Sequence, residues 1–283
     1  MSISEVGGSA FTLGTAFKPD TIGDEAVERM VAILDLQDAA PSIERLRAWA
    51  LKAVDVRPGD ICVDVGSGTG TMTRRLAVHA RVDSTPGKAL GIEPNATLRE
   101  VAVRRAAESH SHAQFGPGLA TELPLPDGVA DVVWCERVLQ HLPDPAAAIV
   151  EIARVLRPGG RAVLLDSDHE SRVESDMDPE VARALTLAFM SQVANPRAAR
   201  HIPRQASAAG LVVDPDIGSS ALVFPQEVLV NGSLHRMAAD RAVADGALDA
   251  ATADAALQAL GDAARQGWAF SAVTVFGFLC RKP

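Results

Sequence analysis

The chain has 283 residues, 47% of them hydrophobic and 22% charged, with a formal net charge of -9. That length can bury a sizeable core as one large domain or one domain with additions, and the composition is that of an ordinary globular protein. The acidic balance argues against a broad nucleic-acid-binding surface, which needs a basic footprint.

Residues 1–19 are rich in glycine, serine and threonine. A first helix is predicted from Asp20 or Thr21 through DEAVERMVAILDL, where Val27, Met30, Val31 and Leu34 fall at helical spacing. Pro41-Ser42 opens a second, SIERLRAWALKAV, with Ser42 as its N-cap and Ile43, Leu46, Trp49, Ala50 and Val54 as one apolar stripe. RPGD at 57–60 is a turn. From there strand, glycine turn and helix repeat. ICVDVG (61–66) precedes a helix from Thr71 through His79. KALGIEP (88–94) precedes NATLREVAVRRAAES. HAQFG (112–116) is a weaker third strand. VADVVWCE (129–136) precedes DPAAAIVEIARVL, and RPGG leads into RAVLLDSD (161–168). This alternation implies an α/β fold with a doubly wound, mostly parallel sheet. The last third breaks the rhythm. PEVARALTLAFMSQV and RHIPRQASAAG read as helices, and LVVDPDIGSSALVF as a strand with a turn in it. Two more helical stretches follow before the alternating strand WAFSAVTVFGFLCRKP. The expected organisation is a helical cap over 1–55, a sheet domain over 56–224 and 268–283, and a helical lid over 225–267, the additions lying over the sheet's ligand edge.

Such a sheet binds ligands where strand order reverses, at the carboxyl ends of its strands. The loop after the first strand, VDVGSGTGTM, has Gly66, Gly68 and Gly70 at alternate positions. The dinucleotide fingerprint needs its last glycine where Thr71 stands, and the phosphate-loop GK[ST] is missing. Glu93 ends the second strand, where a carboxylate can accept both hydroxyls of a ribose.

VDVGSGTG, GIEPN, GLATELPLPDGVADVVWCERVLQHLPDP and EIARVLRPGGRAVLLD resemble, in order and spacing, the class I S-adenosylmethionine-dependent methyltransferases, nearest to the ubiquinone/menaquinone-biosynthesis-like (type 11) small-molecule group. The resemblance covers about residues 58–168. It implies a seven-stranded Rossmann-like sheet with an antiparallel C-terminal strand, and S-adenosyl-L-methionine as cofactor. By position, Asp64 and the backbone of Gly66, Ser67, Gly68 and Gly70 would hold the amino-acid end. Glu93 would hold the ribose. Pro94, Asn95 and Leu98 would border the adenosine, with Leu119 and Ala120 at the adenine edge. Cys135 and Glu136 would face the methionine moiety. Many relatives carry Asp where Leu119 stands, and leucine cannot accept from an adenine amino group.

Methyl transfer from a sulfonium is an in-line displacement to which the protein mainly contributes alignment. A base is needed only where the acceptor must lose a proton. His141 in CERVLQHLPDP is one candidate, because imidazole titrates near neutrality; a histidine bonded to a backbone carbonyl is the equal alternative. DSDHES, read as a loop after the fifth strand, adds Asp168 and His169 as substrate-binding or base residues. No fixed spacing such as HExxH is present, so no metal is expected. Apolar residues of the additions, among them Phe11, Phe17, Leu34, Trp49, Phe189 and Phe224, either belong to the ordinary core or roof the pocket, and those that line it imply a partly apolar small-molecule acceptor.

The expected reaction is methylation of O, N or C on such an acceptor, in secondary metabolism. The rival is a protein of this fold that binds the cofactor and catalyses another reaction or serves a binding role. An [ND]PP[YF] motif is absent after the fourth strand, where WCERV stands, against base methylation of nucleic acid. Cys62, Cys135 and Cys280 are sparse with no CxxC pair, which reads as buried thiols in a reducing compartment. MSISEVGGSAF lacks a secretory pattern and no apolar run spans a bilayer. Expected are a cytoplasmic location, no membrane partner and no nucleic acid, with a homodimer left open.

Overall fold

Val63, Val65, Val132, Val133, Val163 and Leu164 are all buried, so apolar residues fill both faces of neighbouring strands. Strands written this way need helices on both sides. The computed structural model describes residues 24–82 and 87–283. The expected helix start at Asp20 or Thr21 lies outside the described residues, as do Phe11, Phe17 and the side chain of Val27.

The strands are β1 (Ile61–Val65), β2 (Lys88–Ile92), β3 (Gln114–Gly116), β4 (Ala130–Glu136), β5 (Leu156–Glu174), β6 (Val212–Val213), β7 (Gly218–Val223) and β8 (Ser271–Arg281). They lie in the order β3-β2-β1-β4-β5-β8, with β6 and β7 both on the outer edge of β8. β1 to β5 are parallel, and β8 runs antiparallel to β5. Among the described residues the sheet has eight strands where seven are expected, β6 and β7 sharing its last position. Its last position is divided because Asp214-Pro215-Asp216 interrupts the edge, where proline has no N–H to give a ladder. From β1 the chain winds outward to β2 and β3, then returns to β4 on β1's other side. The crevice between the carboxyl ends of β1 and β4 is the switch point.

The helices are α1 (Asp24–Asp38), α2 (Pro41–Val54), α3 (Thr71–His79), α4 (Ala96–Glu108), α5 (Pro145–Val155), α6 (Pro179–Met190), α7 (Ala198–Ala208), α8 (Gln226–Asn231), α9 (Ser233–Ala244) and α10 (Ala250–Arg265), with a 3-10 turn at Leu139–His141. α5 and α7 cover one face through Ile149, Ile152, Ile202 and Ala206. α2 and α3 cover the other through Ile43, Leu46, Ala50 and Leu76, over Trp134 and Val163. α6, α9 and α10 share a separate small core around Leu185, Phe189, Ala239 and Ala253. No helix among the described residues is long and apolar enough to cross a membrane.

Three local expectations are corrected. Ser42 is not the N-cap of α2: Ala40 is, with Pro41 in the first turn and Ser42 buried. Proline at that position lacks an N–H that would be orphaned anyway, so it starts the helix unaided. The helical stretch after Pro225 is broken by Gly232, at φ 58°, into α8 and α9. The segment DSDHES is not a loop, because β5 continues through it to Glu174. Between Asp168 and Val173, β5 advances five residues while β8 advances two, from Thr274 to Ala272. This bulge is closed by Ser171, whose Oγ accepts from Thr274 N at 2.9 Å and donates to Asp168 O at 2.6 Å.

α2 approaches the sheet closely because Trp49 lies against glycine. A Cβ on Gly277 would stand 2.5 Å from Leu165 and 2.8 Å from Trp49, and one on Gly218 would stand 2.4 Å from Trp49. Trp49 is therefore packed on the sheet, against Gly218 of β7 and Gly277 of β8. Gly277→Ala should lower the unfolding free energy by about 1–3 kcal/mol, the usual cost of forcing extra volume into a packed core; a shift of the urea midpoint at constant slope checks it.

Candidate functional site

Three backbone features build the crevice at the end of β1. Gly66, Gly68 and Gly70 all take positive φ, between 53° and 77°. At Gly66 a Cβ would also fall 2.4 Å from Val138, so the loop after β1 lies directly against the loop after β4. Leu34 of α1 sits over Gly68, 3.6 Å from where its Cβ would be. The Ser67 hydroxyl is buried and has no partner within the chain.

Glu93, one residue past β2, is buried and fixed by backbone donors. Gly68 N–H donates to Oε2 and Asn95 N–H to Oε1, each at 2.9 Å. Burial pushes its carboxyl above the usual range, against the two N–H donors and Arg99. Each oxygen keeps a second lone pair. Asn95 caps α4 by accepting from Leu98 N–H at 3.0 Å, and Arg99 Nη1 donates to the carbonyls of Glu93 and Pro94 at 2.6 and 2.8 Å. Leu98 is buried in the helix's inner face, and Ala120 is buried in the loop after β3. Leu119 is 47% exposed, its carbonyl accepting from Glu122 N–H at 3.1 Å.

Asp64 and Glu136 point to the α2 face of the sheet, in line with Trp134. Asp64 is buried, accepts from Thr73 Oγ1 at 2.6 Å, and is pushed up to about 7 by burial. Glu136 receives Arg47 Nε on both oxygens, at 3.1 and 2.9 Å, and Trp134 Nε1 at 3.2 Å. Arg47 Nη2 donates to Asp38 at 2.6 Å. Arg137 pairs with Glu136 and Asp38 and donates to Gln37. The four charged side chains Asp38, Arg47, Glu136 and Arg137, with Asp64 beside them, fasten the end of α1 and the start of α2 onto the strand ends. Among them Arg47 Nη1 and Arg137 Nε are buried without hydrogen-bond partners. Cys135 faces the other way, into the core under α5, and burial raises its thiol well above the usual range. Sequence reasoning missed Asp38, Arg47 and Arg137, because nothing local marks a side chain that pairs across 89 positions.

Beyond β4 and β5 lie the acceptor-side candidates. The Asp166 carboxylate, fully buried, accepts from Gln140 N–H at 3.2 Å and Ser167 N–H at 2.8 Å, which pins the 3-10 turn to β5. That turn holds His141, which burial and the neighbouring His169 and Arg137 push down to about 3. His169 stands on the β5 bulge, its Nε2 2.7 Å from Gln140 Oε1 and its ring 5.1 Å from that of Phe189. Burial and Arg172 push it down to about 4. Asp168 is occupied: Arg200 donates to Oδ2 from Nε at 2.7 Å and Nη2 at 2.5 Å, and Glu170 N–H to Oδ1 at 3.1 Å. Among the described residues no group of three or more metal-ligating side chains is placed to hold an ion.

The crevice suits an α-amino-acid and nucleoside ligand on its own terms. The buried acid at Asp64 suits an ammonium. Arg47 Nη1 and Arg137 Nε lie 3.6 Å from Glu44 and 3.4 Å from Glu136 without a hydrogen bond to either and so can turn to a carboxylate, and the spare lone pairs of Glu93 suit a diol. Comparison with known proteins agrees. A family described as a methyltransferase domain matches residues 63–164. An uncharacterized 37.1 kDa protein of a Streptomyces fradiae transposon is 36% identical over 191 residues, 67% of this chain and 54% of that protein. A 2-phytyl-1,4-naphthoquinone methyltransferase of Trichormus variabilis is 31% identical over 144 residues, 49% of this chain and 62% of the relative. The chain spans about half the length of the curated relatives it matches. The crystal structure of the YcgJ protein of Bacillus subtilis superposes with a TM-score of 0.58 over 84% of this chain and 98% of that one, at 18% identity, a likeness of fold alone.

Asp64 gives the cluster a pH signature. Its carboxyl titrates at about 7 when folded, against 3.8 for the ordinary group. Between these values the folded state binds the proton more tightly, so its contribution to stability falls as pH rises, and the loss is complete above the folded value. Asp64→Asn keeps an acceptor for Thr73 and removes that loss. Urea titrations should show the variant gaining stability relative to the parent as pH rises from about 4 to about 7.

Proposed function

We propose that the chain is an S-adenosyl-L-methionine-dependent methyltransferase of the class I, type 11 kind acting on O, N or C of a small, partly apolar acceptor, a reading supported by the match of residues 63–164 to a family described as a methyltransferase domain. The observation that carries this reading is the pairing of the Gly66–Gly70 loop with Glu93, whose two carboxylate oxygens are oriented by Gly68 and Asn95 N–H and keep one lone pair each. Glu93 binds the ribose diol, Asp64 the ammonium end, and Arg47 and Arg137, held by Glu136, the carboxylate. Leu98 lies beneath the adenosine and Ala120 beside it; Leu119 offers the adenine edge an apolar side chain. When bound, S-adenosyl-L-methionine supplies a methyl group activated on a sulfonium sulfur.

On the acceptor side His141 and His169 are neutral imidazoles at physiological pH, since burial holds both far below 7. A neutral imidazole offers a lone pair, but one titrating near 3 is a weak base, and an imidazolium formed there is disfavoured by the same burial. His141 and His169 therefore act on the acceptor side by placement more than as strong bases, and catalysis is mostly alignment. Asp168 positions the bulge through Arg200, whose two bonds to Oδ2 leave that oxygen no lone pair to spare for a proton from the acceptor.

Isothermal calorimetry with S-adenosyl-L-methionine and its demethylated product is the test. Binding of both is expected, with Glu93→Ala weakening it at least about tenfold, the loss of roughly 1.4 kcal/mol. No heat from either ligand overturns the proposal.

A further inference from the structure

The charged side chains assigned to the cofactor are closed off from solvent. Asp64 and Arg47 are each 3% exposed, Glu93 is 7% exposed, and the side chain of Arg137 is 10% exposed. Arg47 Nη1 and Arg137 Nε, the N–H groups free to turn to a carboxylate, are buried too. A nucleoside with an amino-acid tail cannot reach all four side chains from outside. An element must withdraw before the ligand enters.

α1 is the element that lies across them. Its last turn bonds the cluster after β4, through Asp38 to Arg47 and Arg137 and through Gln37 to Arg137. One turn back, Leu34 sits over Gly68, whose N–H holds Glu93. Beside it Asp35 takes Arg105 of α4 on both oxygens, Nη1 to Oδ1 at 2.6 Å and Nη2 to Oδ2 at 2.8 Å. α1 therefore runs from the β4 side of the crevice to the helix that follows β2, over the glycine loop between them.

The two helices before the sheet are held in different ways. Ile43, Leu46 and Ala50 seat α2 in the apolar core. Met30 of α1 is buried, but Ile33 and Leu36 are exposed. Among the described residues none of α1 belongs to the apolar clusters of the fold. Ala39 and Ala40 link it to the seated helix. An element fastened by charges, with little apolar anchorage, belongs to the low-stability end from which moving covers are drawn.

We propose that α1 is a cover hinged at Ala39–Ala40 and latched by the Asp35–Arg105 ion pair, and that its opening admits and releases the cofactor; this rests on the methyltransferase reading above. Asp38 adjoins the hinge and moves least in a swing, so its bonds to Arg47 and Arg137 are the last disturbed. Asp35 and Leu34, about one helical turn farther along, are carried off Arg105 and Gly68. The latch suits the task by its weakness. Arg105 and Asp35 are 25% and 45% exposed, and a pair in such a setting is worth no more than about fivefold in an equilibrium constant.

A latch has a kinetic signature. Asp35 and Arg105 are outside the set of groups assigned to the cofactor, so the pair closes the empty and the loaded crevice alike. Loosening it raises the opening of both forms by the same factor. Association and dissociation quicken together, and Kd stays where it was. Loss of a group that binds the cofactor would instead raise Kd, and loss of a merely structural pair would move neither rate.

Stopped-flow binding of S-adenosylhomocysteine to the full chain, followed by tryptophan fluorescence, tests this alongside amide hydrogen exchange of residues 24–38 without ligand. Arg105→Ala should raise both rate constants about threefold to fivefold, with Kd within about twofold, and should speed exchange along α1. Asp35→Asn should do the same, which keeps the test open should Arg105→Ala not fold. The exchanged pair, Asp35→Arg with Arg105→Asp, should return both rates toward the parent's. Unchanged rates in a folded variant overturn the proposal, as does faster dissociation alone with a raised Kd. Those results leave binding intact and so fail the latch alone; no binding to the parent chain fails the methyltransferase reading and the latch with it.

Discussion

The bond from Arg47 to both oxygens of Glu136 joins the part of the chain before the sheet to the end of its central strand. It is buried, so it is not a simple source of stability: desolvating the two charges costs several kcal/mol, and their attraction roughly offsets it. What it supplies is placement. β4 fixes Glu136, the close seat of Trp49 on Gly218 and Gly277 fixes α2, and Arg47 can then reach only one place. Asp38 and Arg137 extend the cluster to the end of α1, which brings Leu34 over Gly68. The ligand edge is thereby roofed by the very elements whose charges complete it. Loss of one partner leaves a buried charge without its mate, the more costly outcome.

The other half of the crevice depends on Asp166 in a similar way. Its carboxylate accepts two backbone N–H groups and so holds the turn after β4 against β5. Gln140 then steadies His169, and His141 is set beside it. Burial strips both imidazoles of basicity. Such a site suits a reaction whose difficulty is orientation more than one that needs a strong base.

The sheet was legible because β1, β2 and β4 are short apolar runs ended by glycine or an acid, and α5 and α7 carry clear stripes. The crevice's first half was legible for a local reason: Gly66, Gly68 and Gly70 must take positive φ, and Glu93 must end β2. Two things were not legible. The bulge at His169–Arg172 leaves no mark in DSDHESRVE, because register is decided by β8, a hundred residues later, through Ser171 and Thr274. Arg47 and Asp35 read as ordinary polar positions on helices, and only tertiary packing brings them to Glu136 and Arg105. Ser42 was misread because a capping residue beside Pro41 looks like the start, while proline itself opens the helix.

A crystal structure of the chain with S-adenosylhomocysteine tests the account most directly. The expected result is a ligand at the carboxyl ends of β1 and β4, its ribose hydroxyls on Glu93, its amino-acid end against the Gly66–Gly70 loop and its carboxylate beside Arg47. A crevice without ligand at saturating concentration, or a ligand bound elsewhere on the chain, would contradict it.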